Sequence, residues 1–206
     1  MKLNRKLIEE FWNWFAKNAD IIGQINDPDA PILAEAHERL KRIDDRLWIE
    51  VSEPNEDGMQ ALVITTEGDL DAFPAADAVV DKAPPIKGWE VFSLKPEMGF
   101  DFTTTFEDLT VEPATMWFQP LENEEAAHEL GLKIAIPEFS EQLEETFFHA
   151  AAIVIDTGLG ERAAAKEIHY IEVCEVPRDP EGEGFVPLVE LPEFMEWRRN
   201  RQKKRK

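Results

Sequence analysis

Cysteine occurs once, at Cys174, which excludes an internal disulfide framework and leaves too few thiolates for a multi-cysteine metal site. A chain of this kind suits a reducing compartment, and a cytoplasmic location is expected. Histidine is also scarce: His37, His128, His149 and His169 form no HExxH pattern and no close helical pair, so neither a metal nor a cofactor is expected. The glycine-bearing run Asp156, Thr157, Gly158, Leu159, Gly160, Glu161 has neither the GxGxxG spacing nor the GKS or GKT ending of a phosphate loop. It reads as a helix end and turn. No GxSxG serine elbow is present. The longest strongly apolar stretch lies between Ala150 and Ile155, far short of the roughly 20 residues that cross a bilayer, so no membrane association is expected. The opening MKLNRKLIEEFWNWF is interrupted by Glu9, Glu10 and Asn13 and carries no small-residue cleavage signal, unlike a secretory leader.

Positive charge is sparse and unevenly placed. The 206 residues carry 43 acidic and 22 basic side chains, a net charge of -21, yet seven of the basic residues fall in the last nine, RRNRQKKRK. The first 197 residues therefore carry -28 and the end +7. Such a body repels nucleic-acid phosphates and anionic lipid. What is abundant is apolar: 43% of the residues are hydrophobic, with six Trp and thirteen Phe, enough to fold and bury roughly 70% of the unfolded surface. The expected organisation is one acidic α+β domain over residues 1–197 and a basic tail over 198–206.

Helical spacing of Leu3, Leu7, Phe11, Phe15 and Ile22 predicts a first helix, and Leu33, Ala36, Leu40, Ile43 and Leu47 a second, opened by Asp29 as cap with Pro31 in the first turn. From Leu47 the period becomes two, and EPNEDG supplies a turn before MQALVITT, which reads as a hairpin. A short helix opened by Pro74 and stopped by Pro84 and Pro85 precedes a strand at GWEVFSL. Alternation at Phe100, Phe102, Thr104 and Phe106, then TMWFQP and GLKIAI, predicts more strands around an uncertain ENEEAAHEL helix. A helix buried nearly all round is expected from Ser140, then a strand at IHYIEVCEV and a final helix near Pro192. This order lacks regular βα alternation and predicts an α+β fold, a largely antiparallel sheet packed by helices, with an N-terminal helical pair. Hairpin, helix and strand recur in each half, a pseudo-repeat without a shared motif.

His149 has Glu145 four residues before it and Asp156 seven after, a spacing that aligns three polar groups on one helix face for acid-base work. A hydrogen-bonded structural histidine is the competing account. His169 sits beside Glu167 and Tyr170, but neighbours on a strand point to opposite faces. Cys174 needs a histidine from elsewhere to become a nucleophile and otherwise fills core. Close carboxylate pairs are unavoidable in so acidic a chain, EPNEDG is no complete calcium loop, and ENEE reads as a solvated cluster. Trp48 and Trp89 are candidates to line a groove or to pack at a sheet edge. No catalytic residue is assigned.

The segment FHAAAIVIDTGLGERAAAKEIHYIEV, preceded by APPIKGWEVFSLKP, resembles uncharacterised bacterial domains related to the DUF695 group, over residues 47–176. The resemblance implies a compact bacterial α+β domain and supplies no catalytic residues. The N-terminal helical pair and the basic tail lie outside it. The function expected from charge is interaction or regulation, with the acidic domain meeting a basic protein partner, an immunity-like inhibitor or nucleic-acid mimic being special cases. The alternatives are a hydrolase built on carboxylates or assisted by His149, and weak nucleic-acid binding through the tail.

Overall fold

The N-terminal apolar arc folds as helix α1, Arg5–Ile22, and buries Ile8, Phe11, Trp12, Phe15, Ala19 and Ile22 in the computed structural model, which describes residues 3–25, 27, 30–122 and 129–203. Asn4 caps it by accepting the Lys6 amide at 3.1 Å. Trp12 keeps its indole N–H satisfied in the core by donating to the Val79 carbonyl at 2.8 Å. Helix α2, Pro31–Lys41, starts at Pro31, where loss of an amide costs nothing, and Ala36 and Leu40 are its buried residues. The Asp29 cap expected for it lies outside the described residues; Ala30 precedes the helix.

The link from α2 into the sheet is held by Asp44, 5% exposed, whose carboxylate receives Nε of Arg46 at 2.9 Å and its Nη2 at 2.8 Å. Those hydrogen bonds hold the Asp44 carboxyl below its ordinary value of 3.8. Strand β1, Trp48–Val51, then runs antiparallel to β2, Gln60–Thr65. Asn55 shapes the turn between them, its side-chain oxygen accepting the amides of Asp57 and Met59. Helix α3, Phe73–Val80, with Pro74 in its first turn, carries the chain across to β3, Trp89–Ser93, parallel to β2. The order is β1-β2-β3, and Leu62, Val63, Ile64 and Thr65 of the central strand are all buried.

The second half opens with a small hairpin of β4, Thr104–Phe106, and β5, Leu109–Val111. Phe100 and Phe102, expected to begin that strand, precede it. Strand β6, Trp117–Glu122, pairs antiparallel with β7, Leu130–Ile136. Most of ENEEAAHEL, including His128, lies outside the described residues. Helix α4 spans Glu144–Leu159 and α5 spans Glu161–Glu167, after which β8, Tyr170–Glu175, lies parallel to β7. Strand β9, Val186–Pro187, pairs antiparallel with β6, and α6, Leu191–Lys203, closes the chain. The four-stranded order is β8-β7-β6-β9.

Helix boundaries in the second half differ from the expectation. Helix α4 begins at Glu144 after a short turn at Glu141–Leu143, and the Ser140 side chain makes no capping bond. It is not buried all round: Phe147, Ala150, Ala151, Val154 and Ile155 face the core, whereas Glu144, Glu145, Phe148 and His149 are exposed. Gly160, at φ +77°, ends α4 and starts α5, an unexpected helix, so Asp156–Leu159 form the helix end as expected but Gly160 alone separates it from the next helix. The chain forms two compact units, 1–96 and 97–206, and residues 198–203 belong to α6.

Each unit contains the same ββαβ connection, which gives the pseudo-repeat a structural form. In the first, β1 is antiparallel and β3 parallel to the central β2; in the second, β6 is antiparallel and β8 parallel to the central β7. Registers correspond as well. Trp48 opens β1 opposite Thr65, with Ile49 opposite Ile64; Trp117 opens β6 opposite Ala135, with Phe118 opposite Ile134. The central strands match as Leu62 and Ile64 against Leu132 and Ile134, all at 0% exposure.

Asp44→Asn is expected to lower stability by about 2 kcal/mol, the loss of charged hydrogen bonds at a buried carboxylate, in urea denaturation at neutral pH. Because Asp44's folded value is depressed, the advantage of the native residue is present above 3.8 and fades as pH falls through the folded value. A methyl at Gly158 meets the Phe100 ring, so Gly158→Ala is expected to cost about 1–3 kcal/mol by overpacking, read as a lower thermal midpoint.

Candidate functional site

Strand β8 is an edge, and alternate side chains project to its two faces, so residues of both faces lining one groove place that groove along the outer side of the strand. Ile171, Val173, Glu172 and Cys174 do so, facing Glu144, Glu145 and Phe148 at the start of α4 across a space of about 730 Å³. Glu141 of the preceding turn and Lys133 of β7 complete its polar lining. Four glutamates, Glu141, Glu144, Glu145 and Glu172, thus line the groove with one lysine. The excess extends through this unit: residues 97–206 contain 24 acidic and 11 basic side chains, seven of the basic ones after Trp197.

Of the residues singled out in the sequence, Glu145 and Cys174 meet in this groove. Burial pushes the Cys174 thiol up, against a smaller opposing effect of Lys133, so the sulfur is a protonated wall and no activated nucleophile. His149 is not among the lining residues. It sits on the exposed side of α4, its Nδ1 2.8 Å from the Glu145 carbonyl, its ring stacked on Phe106 at 5.5 Å. The bond is to the backbone of Glu145 and leaves that carboxylate to the groove. Asp156 lies two turns further along the helix, half-buried. His169 accepts the Leu130 amide on Nδ1 at 3.1 Å and so ties the start of β8 to β7. Trp89, 8% exposed, packs edge-on against Phe15 at 5.2 Å and belongs to the core of its unit.

Trp48 does line a groove, in the other unit. That groove, about 860 Å³, lies between α2 and the edge strand β1 and takes in Leu33, Ala34 and His37 from the helix and residues 48–54 from the strand and turn. The His37 and Trp48 rings lie 3.9 Å apart, and the Lys41 ammonium sits 5.2 Å from the Trp48 ring. His37 Nε2 is buried and has no hydrogen-bond partner. Burial, followed by the nearby Lys41 charge, lowers its pKa from 6.5. Nothing in the sequence separates His37 from any other histidine on a helix; only the packing of α2 on β1 gives it a tryptophan and a groove.

Three described residues of the basic segment make contacts within their own unit. Arg198 is 6% exposed and donates to the Glu129 carbonyl at 3.0 Å, Arg199 pairs with Glu167 at 3.0 Å, and Arg201 lies over Trp197. Among the described residues, no group of three or more His, Cys, Asp or Glu side chains is placed to hold a metal ion, and no helix is long and apolar enough to cross a membrane. Comparison of the chain with family models, with curated proteins and with solved structures finds no match.

His37 is expected to titrate below 6.5 in the folded protein, followed by the ring-proton shifts in NMR. Since the folded form holds its proton less tightly than the unfolded chain, stability is full above 6.5 and declines as pH falls from there towards the folded value; His37→Gln removes that part of the slope.

Proposed function

We propose that this protein is an interaction or regulatory domain whose acidic second unit docks a positively charged segment of a partner protein, with the groove beside β8 as the main contact. The observation that carries this reading is that Glu141, Glu144, Glu145 and Glu172 line one open groove with Lys133 as its single basic residue. A field of one sign raises the encounter rate of an oppositely charged partner and rejects like-charged ones, even where it adds little net affinity. The exposed Phe148 offers the apolar stem of a lysine or arginine a surface to lie on.

The other readings have less behind them. A hydrolase assisted by His149 needs that ring beside a carboxylate in a concavity, and His149 is bonded to a backbone carbonyl outside the groove. Nucleic-acid binding through the basic end loses Arg198, Arg199 and Arg201 to contacts inside the unit. The proposed kinship of residues 47–176 with DUF695-related domains adds no residue role, and a cytoplasmic, bacterial setting is part of the same proposal.

Binding of a fluorescent decalysine peptide tests the reading. The association rate is expected to fall steeply between 50 and 200 mM salt, and combined Glu141→Gln, Glu144→Gln, Glu145→Gln and Glu172→Gln substitution to weaken binding at least tenfold. A control with Glu56, Asp57, Asp71 and Asp81 changed to their amides removes the same charge from the first unit. Equal losses in the two variants would reduce the effect to net charge and defeat the proposed groove.

A further inference from the structure

Besides the extra helix α5 in the second crossover, the two ββαβ connections differ on the outer side of the first strand. In the second unit, β9 lies there: Val186 pairs with Phe118 and Pro187 with Trp117, antiparallel, with Phe185 and Leu188 buried on either side. In the first unit the corresponding strand, β1, is the edge of its sheet, and the space beside it is the groove under α2. The exposures follow this difference. Phe118 is 0% exposed and Trp117 half-buried, whereas Ile49 at the matching position is only half-buried and Trp48 is 37% exposed.

We infer that the edge of β1 is a peptide-binding site that takes a short, extended, apolar segment of a partner protein, added antiparallel to the sheet opposite Trp48 and Ile49 as β9 is added opposite Trp117 and Phe118. Three observations define the occupant. An edge strand presents a row of backbone donors and acceptors that an extended chain satisfies, which supplies affinity independent of side chains. The groove has apolar walls in Leu33, Ala34, Ile49 and Val51, with Asp27, Glu50, Ser52 and Glu53 also in its lining, and Glu50 is already paired with Lys95 at 3.1 Å, so a segment with apolar side chains matches the walls. His37 lies on the α2 wall, and its buried Nε2 has no hydrogen-bond partner. Within this chain the segment that fills the equivalent place is Phe185, Val186, Pro187, Leu188, an apolar run whose proline tolerates an edge position. This site lies in the first unit and does not rest on the proposed docking of a basic segment in the second.

The test is selection of a phage-displayed library of random twelve-residue peptides on the full-length protein, followed by titration of the enriched peptides in free form. Enriched sequences are expected to carry an apolar core of about four residues, to bind one to one, and to slow hydrogen exchange of the amides of residues 48–52. Ala34→Arg, at an exposed position that fills the groove without touching the core, is expected to weaken them at least tenfold, while the fourfold glutamine variant of the β8 groove binds them unchanged. Absence of enrichment, binding that survives Ala34→Arg, or protection confined to 170–175 overturns the inference. So does self-association in sedimentation that Ala34→Arg abolishes, since the edge is then filled by a second copy. Loss of decalysine binding in the glutamine variant with peptide binding intact separates this inference from the acidic-groove reading.

Discussion

A strand buried on both faces must find a hydrogen-bonded neighbour on each side, and β2 and β7 impose that requirement on the rest of each unit. Four consecutive residues of β2, and all but Lys133 among the seven of β7, are buried. Their backbone groups cannot turn to water, so each strand acquires one antiparallel partner through a turn and one parallel partner through a helical crossover. The helices α3 and α4 are the covering layers that this crossover demands. Everything else in the units is arranged around these two central strands.

The same requirement decides where binding surfaces arise. Three strands joined as ββαβ have only one interior position, so the other two become edges with half their hydrogen-bonding groups unpaired. In the first unit the edge at β1 is flanked by α2 and becomes a mostly apolar groove; in the second, the edge at β8 is flanked by the start of α4 and becomes an acidic one. The β6 edge is closed by the two residues of β9. One connection thus yields an apolar and an acidic concavity, and the difference lies in which side chains the flanking helix turns toward the strand. Glu144 and Glu145 occupy that place on α4, Leu33 and Ala34 on α2.

The helices and most strands were legible because their patterns are local. Alternation around Trp48 and IHYIEVCEV, the 3.6-residue arc of α1 and the proline-opened α3 express contacts that each residue makes with its own neighbours in the chain. Helix α5 was missed because ERAAAKE is short and follows a positive-φ glycine, so it reads as the tail of a turn. The segment after Trp197 reads as a basic tail from its charge, and Arg198 is buried against the Glu129 carbonyl 69 positions earlier in the chain. That contact has no local signature. His149 attracted attention through its spacing to Glu145 and Asp156, but a four-residue step on a helix aligns side chains without saying whether that face meets a concavity or solvent.

By itself the sequence determined the α+β class, the helical pair, the hairpin, the recurrence of hairpin, helix and strand, and the excess of negative charge, all of which follow from composition and short periods. Tertiary structure alone decided that the recurrence is a shared ββαβ connection with matched registers, that Glu145 and Cys174 share a groove from which His149 is turned away, and that the His37 ring lies tilted against Trp48 at an open strand edge. The reason is physical: strand pairing joins residues far apart in the chain, and which edge is left unpaired depends on the whole sheet. No window of sequence contains that information.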